Sequence, residues 1–220
     1  MPEHYDARVL ARTKELYQQI RAWAIARGDV SLIGGWAVYE HVAPGKAKQS
    51  RDVDIVLHSE AALNDLVLRI GGWNLAWRPA GRKLRFPDAH FKDEDPLVFR
   101  LDVFTSQSNA TWDSLFGRQG AGNIKACPST YLPSLEWLIS DKLQTVHLRR
   151  GADARDKQAK DLIDTHHLVF HNKGNFTPGS LAIHVAEVLR RHAMRHIAEA
   201  VATRPEYEEE LQQLENWLAA

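Results

Sequence analysis

Apolar positions in the first stretch of the chain recur three, four and seven residues apart. Val9, Leu16, Ile20 and Trp23 share one face and Gly28 follows as a stop, which predicts an amphipathic helix over 5–27. The period then shortens. A run of apolar residues at 31–33 predicts a strand, Gly34 and Gly35 lead into a short helix over 36–42, and a second strand opens at Asp52, with Val53 and Ile55 alternating with Asp52 and Asp54. A helix is expected over 60–70, stopped by Gly71 and Gly72, then short strands at 73–77 and 83–86 around a turn, and an acidic loop over 87–96. Residues 97–105 form the next strand: Leu97, Phe99, Leu101 and Val103 make a continuous apolar face, while Val98, Arg100, Asp102 and Phe104 point the other way.

Glycines and prolines punctuate 106–133, and beyond them the period is helical to the end. Ser134 is an N-cap for a helix carrying Leu135, Leu138, Ile139, Leu143 and Val146, with Lys142 on the same stripe. A helix over 154–171 has Leu162, Ile163, His166 and Phe170 on its inner face. One long helix is expected over 178–202, and an acidic amphipathic helix over 205–217 sets Tyr207, Leu211, Leu214 and Leu218 on one side. This order predicts an α/β (α+β) protein: a mixed sheet with flanking helices over 1–127, then a helical domain over 128–220.

Composition narrows the class. With 220 residues, 44% hydrophobic and 25% charged, the chain can bury one α/β core and a smaller helical unit. No apolar run is long enough to span a membrane and the charged N-terminus lacks a signal-peptide core, so a cytoplasmic location and no membrane partner are expected. Cys127 is the only cysteine, which excludes an internal disulfide and a thiolate metal cluster. The 28 basic and 28 acidic residues cancel, so no global field draws the chain to nucleic acid.

The candidate chemistry sits in residues 31–57. Two positions apart on a strand, Asp52 and Asp54 project from one face with Cα atoms roughly 6.5 Å apart. Carboxylates that close repel, and the pair becomes favourable when a divalent cation sits between them or when one is protonated; Mg²⁺ is the natural occupant because it takes one or two carboxylates and completes its shell with water and nucleotide phosphates. Gly34 and Gly35 let the backbone approach a phosphate at the start of a helix. Lys46, Lys48 and Arg51 crowd the loop before the carboxylates, where they can neutralise a polyphosphate. Asp102, between Leu101 and Val103, is expensive to bury without a partner; an ion pair with Arg100 on its own face is the plain explanation.

Gly34-Gly35, a short helix and then Asp52-Val53-Asp54 between apolar residues resemble the signature of the polymerase-β-like nucleotidyltransferase superfamily. GGWAV at 34–38 resembles the aminoglycoside and lincosamide nucleotidyltransferases, and the downstream layout resembles the AbiE-type abortive-infection toxins. The chain departs from the pattern in two places. Sixteen residues separate Gly35 from Asp52, a long interval that AbiE-type members share, and Gly35 stands where many members carry serine. Backbone N–H groups, Ser50 or Lys48 are then left to take the phosphate.

The resemblance implies an enzyme that moves NMP from an NTP to a hydroxyl acceptor, using two Mg²⁺ ions. Asp52, Asp54 and Asp102 would be the metal ligands, with Asp102 also the general base, while Lys48 and Ser50 take the places of the family's basic and hydroxyl residues before the first aspartate. It also implies that Lys142 serves the nucleotide and that Asp161, in Lys160-Asp161-Leu162-Ile163-Asp164, is catalytic. The acceptor is RNA (for example a tRNA end), a protein, or a small hydroxyl compound such as an antibiotic; an antitoxin protein is a further implied partner. A non-catalytic nucleotide-binding module that keeps the fold is the alternative. On the residues alone, Lys142 either snorkels or reaches a phosphate, and Lys157 with Asp161 and Lys160 with Asp164 read equally as surface ion pairs. His192 and His196 have an i, i+4 spacing but no accompanying Glu or Cys partner, so they read as ordinary helix residues.

Overall fold

The structure, a computed structural model, describes residues 7–47, 49–50, 52–73, 100–105, 127–150 and 153–220. Lys48, the expected strand over 83–86, the acidic loop over 87–96, the start of the 97–105 strand and most of the 106–133 linker lie outside the described residues. What is described is mixed α+β: a three-stranded mixed sheet, nine α-helices and one 3₁₀ turn. The chain divides into two compact units, Met1–Ala37 with Gln49–Pro133 and Val38–Lys48 with Ser134–Ala220.

The first unit is built on the sheet. Helix α1 (Ala7–Arg27) buries Leu16, Ile20, Trp23 and Ala24, and Gly28 ends it with a positive φ of 76°. Strand β1 (Val30–Ile33) is buried along its whole length and runs antiparallel to β2 (Asp52–Leu57), which in turn runs parallel to β3 (Arg100–Thr105). Val53, Ile55, Leu101 and Val103 are at most 2% exposed, the apolar face that the alternation predicts. Helix α3 (Glu60–Arg69) starts where the Ser59 hydroxyl accepts the Ala62 N–H, and buries Ala62, Leu63 and Leu66. Helix α2 (Gly34–His41) starts two residues earlier than the pattern implied, because Gly34 already takes part in the helix. Trp73 lies in a turn after α3, and the rest of the strand expected over 73–77 lies outside the described residues.

The second unit is helical. Helix α4 (Leu135–Leu148), capped by Ser134, packs against α5 (Ala154–Phe170). The expected single helix over 178–202 is three: α6 (Pro178–His184), α7 (Glu187–Met194) and α8 (Ile197–Thr203). Val185 and Ala186 adopt extended ψ values of 122° and 129°, which breaks the first junction. The breaks let α7 pack on α4 while α8 packs on α5, directions that a straight rod could not serve together. A 3₁₀ turn (Pro205–Tyr207) leads into α9 (Glu208–Ala219), which buries Leu211, Leu214, Trp217 and Leu218. Residues 38–48 belong to this unit: the Ala43 N–H donates to the His171 carbonyl and the Lys173 N–H to that of His41. No helix among the described residues is long and apolar enough to cross a membrane.

Candidate active site

The register of the sheet decides where the carboxylates stand. Asp54 is the cross-strand partner of Ile33 on β1 and of Asp102 on β3, and Asp52 is the partner of Arg100. Residues directly opposite each other share a face, and residues two apart on a strand share it too, so Asp52, Asp54 and Asp102 belong to one face of the sheet. The Asp54 and Asp102 backbones are neighbours at about 4.8 Å, the spacing of adjacent strands. All three aspartates are half-buried, while the residues between them form the core.

The glycines are shaped around this strand. Gly34 has a φ of +66°, and a Cβ there would run into the Asp54 carboxylate, 2.8 Å from its Cγ. A Cβ on Gly35 would lie 2.9 Å from the Ser50 Cβ and 3.2 Å from its Oγ. The missing side chains therefore let Asp54 and Ser50 close against the first turn of α2, directly beside that helix's N-terminal N–H groups. Ser50 is 8% exposed, and its hydroxyl accepts the Asp52 N–H at 3.2 Å, fixing the entry to β2.

The donor set is all oxygen, which suits a hard cation such as Mg²⁺. The backbone register supplies the common face on which Asp52, Asp54 and Asp102 stand. Among the described residues no three His, Cys, Asp or Glu side chains stand together in metal-holding geometry.

Lys142 and Asp161 meet in the second unit. Lys142 is 6% exposed, and its ammonium donates to Asp161 at 3.1 Å and to Asp164 at 2.7 Å. Arg149 donates to the other Asp161 oxygen through Nε at 3.1 Å and Nη2 at 2.9 Å. Burial pulls the Lys142 ammonium down, but Asp164 and Asp161 outweigh it and hold its pKa above the ordinary value. Burial pushes the neighbouring Asp141 carboxyl up to about 6, opposed by Lys142 and reinforced by Asp161.

This corrects the surface reading of the 157–164 stretch. Asp161 is 3% exposed and lies on the inner face of α5 with Gln158, Leu162 and Thr165, while Lys157 pairs with Asp153. Sequence reasoning missed Arg149 and Asp164 as members of the cluster. A signal was there: Lys142 and Arg149 are seven apart, two turns of one helix face, and Asp161 and Asp164 are three apart on the next helix. His192 and His196 do not share a helix; His192 stacks on His147 with ring centroids 4.3 Å apart, and His196 precedes α8.

No protein-family model matches the sequence, and no curated protein matches it. The chain is similar in structure to an antigenic nucleotidyltransferase-like protein from Paracoccidioides brasiliensis, with 17% identity, 94% of each chain covered and a TM-score of 0.45. It is likewise similar to JHP933 from Helicobacter pylori, with 14% identity, 94% of this chain and 90% of that chain covered and a TM-score of 0.48.

Proposed function

We propose that this protein is a Mg²⁺-dependent nucleotidyltransferase of the AbiE-type sort that transfers NMP from an NTP to a hydroxyl acceptor on RNA, a protein or a small molecule. The observation that carries the reading is the register that sets Asp54 beside Asp102, with Gly34 cut away to admit the Asp54 carboxylate at the start of a helix. Asp52, Asp54 and Asp102 would hold two Mg²⁺ ions, which would supply positive charge to neutralise the triphosphate and the leaving pyrophosphate. Asp102 accepts the proton of the acceptor hydroxyl as its oxygen attacks the α-phosphorus and the bond to pyrophosphate breaks. The Gly34 and Gly35 N–H groups, Ser50 and Lys48 bind phosphate oxygens.

The proposed reading also gives Lys142 a role toward nucleotide phosphate, with Asp161 accepting from its ammonium and from the Arg149 guanidinium. The protein works in the cytoplasm, and an antitoxin is its partner. The test is incubation with each labelled NTP and Mg²⁺, together with tRNA, the protein itself or aminoglycosides. Label on one acceptor, lost in Asp54→Asn, is the expected result. If no acceptor takes label and Asp54→Asn binds Mg·NTP as tightly as the wild type, the reading fails.

A further inference from the structure

A second concave surface lies in the first unit and shares no residue with the carboxylate face. Its lining comes from two stripes: Gln19, Ala22, Trp23, Ala26 and Arg27 on α1, and Asp65, Arg69 and Trp73 at successive four-residue steps along α3 and the turn that follows. Ala22 and Ala26 keep the α1 wall low, which leaves a wide-mouthed groove of about 740 Å³, within the range of about 300–1,000 Å³ usual for small-molecule sites.

Its polar groups divide into committed and free. Asp65 accepts from the Trp23 indole N–H at 2.7 Å, from Arg69 Nε at 3.1 Å and from Arg27 at 3.3 Å. Arg27 also forks onto both oxygens of Asp29 at 2.8 Å. The hydrogen bond from Trp23, with those from Arg69 and Arg27, holds the Asp65 carboxyl below its ordinary range, so its charge is balanced within the groove. The terminal nitrogens of Arg69, half-exposed at 51%, have no partner among the described residues, and neither do the Trp73 indole N–H and the Gln19 amide. Trp73 rests edge-to-face on the buried Trp23, centroids 5.5 Å apart, and is itself only half-buried.

We propose that this groove binds a nucleotide unit, with the base stacked on Trp73 and the phosphate held by the free fork of Arg69. A flat π surface accepts any base, a guanidinium fork matches two phosphate oxygens, and the Gln19 amide offers a donor and an acceptor to a base edge. Arg27 is taken up by Asp29 and Asp65, so the cationic donors left for a phosphate are the terminal nitrogens of Arg69. The chemistry is common to a free nucleotide and to one nucleotide of a single strand. It stands independently of the nucleotidyl-transfer reading.

The test is isothermal titration of the full-length protein in EDTA, in an Asp54→Asn background that removes a carboxylate from the other face. AMP and single-stranded tetra-adenylate are the probes; adenosine is the control lacking phosphate. Either probe should bind. Arg69→Gln should weaken it about tenfold while leaving adenosine unchanged, and Trp73→Leu should weaken nucleotide and nucleoside alike by tenfold or more. Binding of AMP identifies a free nucleotide as a sufficient ligand; binding of the tetramer alone identifies a strand. Failure of both probes to bind, or affinity that Arg69→Gln leaves intact, overturns the proposal. Arg69 is exposed enough that its variant decides the matter even if Trp73→Leu unfolds.

Discussion

Gly34 combines two demands that Gly28 and Gly45 do not. All three have positive φ, but around Gly28 and Gly45 an added Cβ would meet nothing within 4 Å, whereas at Gly34 it meets Asp54. Left-handed backbone costs a residue with a Cβ about 1–2 kcal/mol. Gly45→Ala should therefore lose about that much stability in a urea titration, and Gly34→Ala should lose clearly more, because Asp54 must also move. Combining Gly34→Ala with Asp54→Ala should recover the excess; simple additivity of the two would show that the carboxylate is not the obstacle. For catalysis, Asp102→Asn should keep the urea midpoint and lower turnover roughly 10²- to 10⁴-fold, the usual contribution of a positioned base. The common face of Asp52 and Asp54 was legible because parity along one strand is a local property. The setting of Asp102 beside Asp54 was not, since the register of β2 against β3 is fixed by packing between distant segments, and only family resemblance pointed to it. That the missing Cβ of Gly34 also makes room for the Asp54 side chain was not legible in the sequence, since it too depends on the pairing of β1 with β2.

Between α4 and α5 the decisive feature is a charge ledger of three carboxylates, Asp141, Asp161 and Asp164, against two cations, Lys142 and Arg149. Lys142 and Arg149 answer Asp161 and Asp164 directly, and Asp141 is the surplus charge, its pKa raised to about 6 by burial and by Asp161. A carboxyl with a folded pKa above its unfolded value binds more protons in the native state across that interval. Stability from this group is therefore present at acid pH and is lost as pH rises from about 4 to about 6, a loss of roughly 2–3 kcal/mol at one pKa unit per 1.36 kcal/mol. Asp141→Asn should accordingly raise the melting temperature at pH 7.5 and change it little at pH 3.5; an equal shift at both pH values would mean the carboxyl is not strained when ionised. Elements of this unit were legible where the buried face is apolar, throughout in α9 and with Lys142 as the exception in α4. They were not legible where a helix is buried nearly all round. On α5, Asp161, Thr165 and His166 are as deep as Leu162 and Leu168, so periodicity could not tell the inner aspartate from a solvated one. The 178–202 stretch keeps a helical pattern through two breaks because each break answers a tertiary neighbour.

For the whole molecule the formal charge is zero, with 28 residues of each sign, so attraction to a polyphosphate has to be local; in the proposed function it would run through a cation held by the carboxylates. That makes binding a linkage between three species, with a signature in global stability. NTP alone would bring negative charge to a face that already carries Asp52, Asp54 and Asp102, and should stabilise the protein little. Mg²⁺ alone relieves repulsion among those carboxylates and should stabilise it modestly. Together each lowers the cost of the other. At a hundredfold excess over the dissociation constant, binding to the native state alone adds about 2.7 kcal/mol, which for a chain of this size corresponds to roughly 5–10 °C in melting temperature. Thermal unfolding in four conditions, with and without each component, measures the coupling directly. The shift with both present should exceed the sum of the single shifts, and Asp54→Asn should reduce it to that sum, because the substitution keeps the shape that Gly34 accommodates and removes the charge that recruits the ion. Equal coupling in the wild type and in Asp54→Asn would place the nucleotide away from the aspartate face and leave the shared register of β2 and β3 without a role in binding.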